Sequence, residues 1–313
     1  MIQQNLAFVF PGQGSQKIGM LADLAASYPV VTQTFVEASQ VLGYDLWELV
    51  QNGAQEDINL TERTQPLLLT ASVAVWRVWQ QKKGTQPALV AGHSLGEWSA
   101  LVCAGVVEFK DAVKLVQQRG KLMQEAVPAG QGAMAAIIGL DDALIIEACK
   151  KAEQGEVVSA VNFNSPGQVV IAGAAAAVDR ASALCKEAGA KRALPLPVSA
   201  PFHTSLMRPA ADRLAEQIAA TKFNAPQIPV VHNVTAETET DPERIKALMI
   251  EQIYSAVRWV ECVTAMSEAG IDVVVECGPG KVLSGLNKRI NAELTTLSME
   301  KSEEVENVLA QLQ

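Results

Sequence analysis

Three short apolar runs, each closing in a glycine- or proline-bounded loop, predict an α/β protein whose sheet is mostly parallel and covered on both faces. The runs are "NLAFVFPGQGSQ" (5–16), "PALVAGHSLGEWSALVCAGV" (87–106) and "GIDVVVECGPGK" (270–281), and helical stretches such as 62–81 and 109–126 lie between them. A change of rhythm between about 128 and 198 adds a second, smaller unit.

Taken in order, Leu6 to Phe10 form an unbroken apolar strand that Pro11 ends, because proline cannot donate to a ladder. The run at 87–106 reads as strand, tight turn and helix, and the run at 270–281 as strand and tight loop. After "VPAGQG" (127–132) the order becomes strand 133–138, helix 141–152, strand 157–163, strand 168–172, helix 174–188 and strand 192–197. This βαββαβ succession is the ferredoxin-like signature. The expected organisation is a large α/β part, discontinuous at 1–127 and 199–313, split by a ferredoxin-like small part at 128–198.

Composition narrows the function classes. With 313 residues, 49% hydrophobic and 19% charged, the chain can bury a large core as an ordinary globular protein. No apolar stretch approaches the roughly 20 residues a membrane span needs. Met1 leads into a strand without a basic segment and a long apolar core, so no signal peptide is expected and the cytoplasm is the expected location. The five cysteines are scattered, with no C-x-x-C pair, which argues against a disulfide framework and a zinc site. They read as buried small hydrophobes in a reducing compartment. A net charge of −9 disfavours nucleic acid as a partner.

"AGHSLGEWSA" (91–100) holds G-x-S-x-G between a strand and a helix. In that context the pattern is a nucleophile elbow, a turn so tight that only glycine fits on either side of the serine, here Gly92 and Gly96 around Ser94. The bland alternative is a plain turn with Ser94 as a helix cap. A neutral serine needs a base, and the chain has three histidines. His93 adjoins Ser94 and should diverge from it at a sharp turn, supporting the loop. His232, after a strand, suits a satisfied core histidine. His203, in "SAPFHTSLM", lies where the chain re-enters the large part, at a cleft between two units, and is the candidate base. Few acids follow apolar strands between Ser94 and His203, so a Ser-His dyad oriented by a backbone or amide oxygen fits better than a triad.

An oxyanion hole needs backbone N–H donors. Leu95, after the serine, supplies one, and "PGQGSQ" supplies a plausible second around Gln13, where Gly12 and Gly14 permit close approach; a simple turn is the bland reading of that loop. On the helix at 109–126, Ala112, Val116, Met123 and Ala126 form an apolar stripe, and Arg119 falls within it. A guanidinium facing a core needs an acid or dense hydrogen bonds. Periodicity alone leaves open a structural ion pair with a protein acid, snorkelling to a nearby surface, or a substrate carboxylate held bidentately. "CGPGKVLSG" (277–285) superficially looks like a phosphate cradle, but it has Val275 and Val282 where such a loop needs Gly and Ser or Thr, and it reads as a structural turn facing the same cleft.

Taken together, "FVFPGQGSQ", "GHSLGE" (92–97), "QQRG" (117–120), "APFH" (200–203) and "ECGPGKVL" (276–283) resemble the malonyl-CoA:acyl-carrier-protein transacylases of type II fatty acid synthesis, over essentially the whole chain. The resemblance implies an α/β-hydrolase-like large part with the ferredoxin-like insert. It implies a ping-pong transfer in which Ser94 takes malonyl from malonyl-CoA as an ester and yields it to the phosphopantetheine thiol of acyl carrier protein. By the same match His203 is the base, Arg119 grips the malonyl carboxylate, and the Gln13 and Leu95 N–H groups form the oxyanion hole. The backbone oxygen of Gln252 orients the histidine, and Phe202 and Met123 join the substrate contacts. Leu95 and Phe202 match the malonyl type, whereas methylmalonyl-selective relatives tend to carry other residues at both places. No metal or organic cofactor is implied, since coenzyme A enters as substrate, and a monomer is the expected state. A serine hydrolase or thioesterase shares the elbow but gives no reason for Arg119 on an apolar face. A polyketide-pathway acyltransferase and a non-catalytic scaffold domain would keep the same fold.

Overall fold

The computed structural model describes residues 1–312. Among the described residues nine strands form two sheets: β1 (Ile2–Phe10), β2 (Gln86–Gly92), β3 (Gly132–Ile138), β4 (Val158–Ser165), β5 (Gln168–Ala174), β6 (Arg192–Pro195), β7 (Val230–Val231), β8 (Val273–Cys277) and β9 (Thr295–Met299). The first sheet has the order β7-β2-β1-β8-β9 with every pairing parallel.

Its central strand β1 is buried from Leu6 to Phe10. Successive side chains leave a strand on opposite faces, so Leu6, Phe8 and Phe10 enter one core and Ala7 and Val9 another. Phe8 meets Trp76 and Trp79 of the Thr61–Gln81 helix at ring distances of 5.5 and 5.4 Å. On the other face Ala7 and Val9 lie in one cluster with Trp259 and Val263 of the Trp259–Glu268 helix. Both faces are covered, which is why these strands read as continuous apolar runs rather than alternating ones.

The second sheet has the order β4-β5-β3-β6, antiparallel throughout, with the Asp142–Ala152 and Ala175–Glu187 helices packed on it. This is the βαββαβ arrangement. The second sheet is tied to the segment just beyond Gln252: Val257 N–H donates to Val161 O at 2.7 Å and Phe163 N–H donates to Val257 O at 3.0 Å. Gln313, the last residue assigned to the large part, lies outside the described residues.

Several elements differ from the sequence reading. The last small-sheet strand stops at Pro195 rather than 197, since Pro195 and Pro197 remove ladder donors. The elbow helix starts immediately at Leu95. Four cysteines are buried, but Cys103 is only half-buried; all five are free thiols. No described helix is long and apolar enough to cross a membrane.

Candidate active site

The elbow forms because β2 runs directly into a helix with no room for side chains beside Ser94. A Cβ on Gly92 would lie 1.9 Å from the Gly96 backbone, and one on Gly96 would lie 2.1 Å from Phe10 O. Ser94 itself takes φ 53°, ψ −111°, a conformation that L-residues rarely occupy. Asn233, just after β7, clamps the turn: its Oδ1 accepts from Ser94 N–H at 2.8 Å and its Nδ2 donates to Gly92 O at 2.7 Å.

His203 meets the serine from the other side. Its Nε2 lies 2.7 Å from Ser94 Oγ and its Nδ1 lies 2.9 Å from Gln252 O. A carbonyl oxygen can only accept, so Nδ1 carries the ring proton and Nε2 is left as the acceptor for the serine hydroxyl. Burial, and next the positive charge of Arg119, lower the His203 pKa from 6.5 to about 3. The imidazole is therefore neutral and able to take a proton at neutral pH.

Arg119 is 1% exposed, on the Phe109–Glu125 helix. Nη1 donates to Gln65 Oε1 at 2.9 Å, and Nη2 donates to Gln252 Oε1 at 2.9 Å and to Ser94 Oγ at 3.3 Å. Nε is buried without a partner, and no acid forms a salt bridge with this guanidinium among the described residues. Burial lowers its pKa to about 10, and Glu97 opposes that shift. Of the readings left open by periodicity, a protein acid paired with it is absent among the described residues, and at 1% exposure the guanidinium does not reach the surface.

The Leu95 and Gln13 N–H groups donate to no protein acceptor among the described residues. Gly12 packs so closely on the elbow that a Cβ there would lie 2.5 Å from His93 O, which sets the Gln13 loop beside Ser94. Met123, one turn after Arg119, is 2% exposed, and Phe202, next to His203, is 7% exposed. Both belong to the core cluster that also holds Leu95. A cavity of about 440 Å³ lined by Leu60, Thr61, Lys121, Gln124, Val198 and Ser199 adjoins the Gln13 loop, whose Nε2 lies 3.4 Å from Thr61 Oγ1. Neither Ser94 nor His203 lines it.

The other two histidines sit apart. His93 turns away from Ser94, with Nε2 2.7 Å from Asn164 Oδ1 on β4 and its ring against Trp259 at 5.6 Å. His232 is buried as expected, but it is not satisfied: neither ring nitrogen has a hydrogen-bond partner, and Nδ1 lies 3.4 Å from Glu97 Oε1. Sequence reasoning gave no role to Gln65, Asn233, Asn164 or Glu97. Glu97 alone left a signal, as an acid inside the apolar helix "LGEWSALVC". "CGPGKVLSG" is a structural turn: the buried Glu276 accepts from Leu283 N–H, Ser284 N–H and Ser284 Oγ, at 3.3, 2.8 and 2.9 Å. No group of three or more His, Cys, Asp or Glu able to hold a metal occurs among the described residues.

A parallel α/β sheet with a serine at a glycine-flanked elbow, hydrogen-bonded to a histidine that is in turn held by a carbonyl, defines the class of dyad-type serine enzymes. Comparison with known proteins resolves the class further. Residues 7–303 match the family model described as the acyl transferase domain. The malonyl CoA-acyl carrier protein transacylase of Escherichia coli K12 is 62% identical over 293 residues, spanning 94% of this chain and 95% of that protein. The Bacillus subtilis protein of the same name is 48% identical over 302 residues, 96% of this chain and 95% of its own. Among solved structures, an acyl carrier protein S-malonyltransferase from Vibrio cholerae aligns with a TM-score of 0.96 at 64% identity, covering 97% of this chain and 99% of that one. A malonyl-transacylase in complex with its type II polyketide acyl carrier protein aligns with a TM-score of 0.97 at 58% identity, covering 98% and 99%. The chain belongs to the acyl transferase domain family, among its malonyl CoA-acyl carrier protein transacylases.

Proposed function

We propose that this protein transfers malonyl from malonyl-CoA to the phosphopantetheine thiol of acyl carrier protein, through a malonyl ester on Ser94, and so supplies fatty acid synthesis. The observation that carries the reading is the buried Arg119: a guanidinium 3.3 Å from the nucleophile's oxygen, hydrogen-bonded only to neutral groups. A charge so placed calls for an anion from outside the protein, and a malonyl carboxylate two carbons from the reacting carbonyl supplies one.

In this reading Ser94 Oγ attacks the thioester carbonyl while His203 Nε2 takes its proton. The tetrahedral oxyanion rests on the Leu95 and Gln13 N–H groups. Its collapse breaks the C–S bond, and the coenzyme A thiolate leaves with the proton from His203. The carrier thiol then repeats the steps in reverse order, attacking the ester and releasing Ser94. One oxyanion hole serves both halves, so transfer runs in either direction. The residues act without a metal or organic cofactor. Met123 and Phe202 wall the acyl group. The division at 128–198, a monomeric state, a cytoplasmic location and no role for nucleic acid complete the proposal.

Intact-mass measurement after mixing with malonyl-CoA tests it. One malonyl group should appear on Ser94, persist without a thiol acceptor, and be absent from Ser94→Ala. Rapid loss of the label to water would identify a hydrolase, and uptake by Ser94→Ala would remove the serine from the mechanism.

A further inference from the structure

Glu97 is 1% exposed and heads the helix that starts at the elbow, yet it touches no reacting atom. Oε1 accepts from Asn233 N–H at 2.6 Å, and Oε2 accepts from Gln252 Nε2 at 3.0 Å. A carboxylate can only accept, so the end of the Gln252 amide that faces it must be the NH2 group. Ser94 O at 3.0 Å and Asn233 Oδ1 at 3.3 Å face the same end and demand the same orientation. The other end is then the oxygen, and it lies 2.9 Å from Arg119 Nη2. Of the three groups that set this orientation, Glu97 alone is a carboxyl side chain, and its two oxygens bridge Gln252 Nε2 and Asn233 N–H.

We propose that Glu97 is a positioning residue for acyl-group selection: it fixes the Gln252 amide with its oxygen toward Arg119, and through that oxygen holds the guanidinium beside Ser94. The inference rests on Arg119 being the group that binds the acyl carboxylate. Glu97→Gln keeps the shape but trades one accepting oxygen for an NH2. With its oxygen kept on Asn233 N–H, that NH2 opposes the Gln252 NH2, the Gln252 amide turns over, and Arg119 faces a donor where it had an acceptor. Arg119 then retains Gln65 as its one side-chain amide anchor.

The test measures acylation rates from malonyl-CoA and acetyl-CoA in the wild type, Glu97→Gln, Gln252→Leu, the double variant and Arg119→Ala. Loss of one hydrogen bond to a charged group predicts a malonyl-to-acetyl ratio lower by on the order of tenfold in Glu97→Gln, with the acetyl rate changed less than about threefold. If Glu97 works through Gln252, Glu97→Gln adds no further loss of ratio in the Gln252→Leu background. A ratio unchanged in Glu97→Gln, equal losses for both acyl groups, or ratio effects that multiply in the double variant would overturn the proposal while leaving Arg119 its role. A ratio unchanged in Arg119→Ala would overturn the reading of Arg119 itself. If Glu97→Gln does not fold, Glu97→Asp gives the same readout, since it draws the charge back by one methylene: a lower ratio supports the proposal and an unchanged one refutes it.

Discussion

In the proposed function Arg119 is the residue that chooses the acyl group. Arg119→Ala should weaken malonyl acylation by roughly 2 to 5 kcal/mol, the usual cost of removing one partner of a buried charge pair, and leave acetyl acylation level. Arg119→Lys should recover little, because an ammonium lacks the planar fork. Rates from the two thioesters decide it; equal losses would make Arg119 structural. His203 carries a second expectation. Its pKa, lowered to about 3 from 6.5 by burial and then by Arg119, leaves Nε2 free of a proton through the weakly acid range. The burst of acylation should show no acid limb near pH 6.5, and a limb there would refute the assignment. The same shift bears on stability: a lowered folded-state pKa gives stability present above 6.5 and lost as pH falls toward 3. Ser94, His203 and Arg119 stood out in sequence as candidates because a local pattern marks each: two glycines, a break between units, a cation on an apolar stripe. Gln65, Asn233 and Asn164 left no such mark. They reach the site across 54, 139 and 71 residues, and nothing local distinguishes a polar side chain that will be buried from one left in water.

Among the elements, the strand-to-helix turns had the most legible sequence. β1, β2 and β8 were readable because burial on both faces gives each a continuous apolar run, Leu6 to Phe10, Ala88 to Ala91 and Val273 to Val275. The two-residue β7 was readable only as the strand before His232, since a run so short has no period of its own. The Glu276 turn shows how such a junction is held. Burial raises this carboxyl from 4.5 to about 7, while the first N–H groups of the Val282–Ile290 helix oppose that shift. A raised pKa means stability fully present below 4.5 and lost as pH rises through about 7. The melting temperature of the wild type should therefore decline between pH 5 and 8 more steeply than that of Glu276→Gln. The difference should be on the order of 3 kcal/mol across the full titration. Parallel profiles for the two proteins would show that Glu276 stays ionised.

Across the molecule, the small sheet is tied to the centre of reaction at two points, the β4–Val257 bonds and the 2.7 Å contact between Asn164 and His93. Asn164→Ala strands a buried imidazole, so it should cost about 1 to 3 kcal/mol of stability. It should also slow acylation from malonyl-CoA and acetyl-CoA alike, because it disturbs the elbow and not the acyl pocket. A selective loss of malonyl transfer would contradict that division of labour. The dyad residues also share a property with few others: Ser94 at φ 53° and His203 at φ 65° are two of six non-glycine residues with positive φ among those described. Glycine would rest more easily at either place. A lineage selected for endurance alone would drift to glycine there, and would keep a sturdier protein with no trade. In the proposed mechanism these two backbones are where persistence is given up for work.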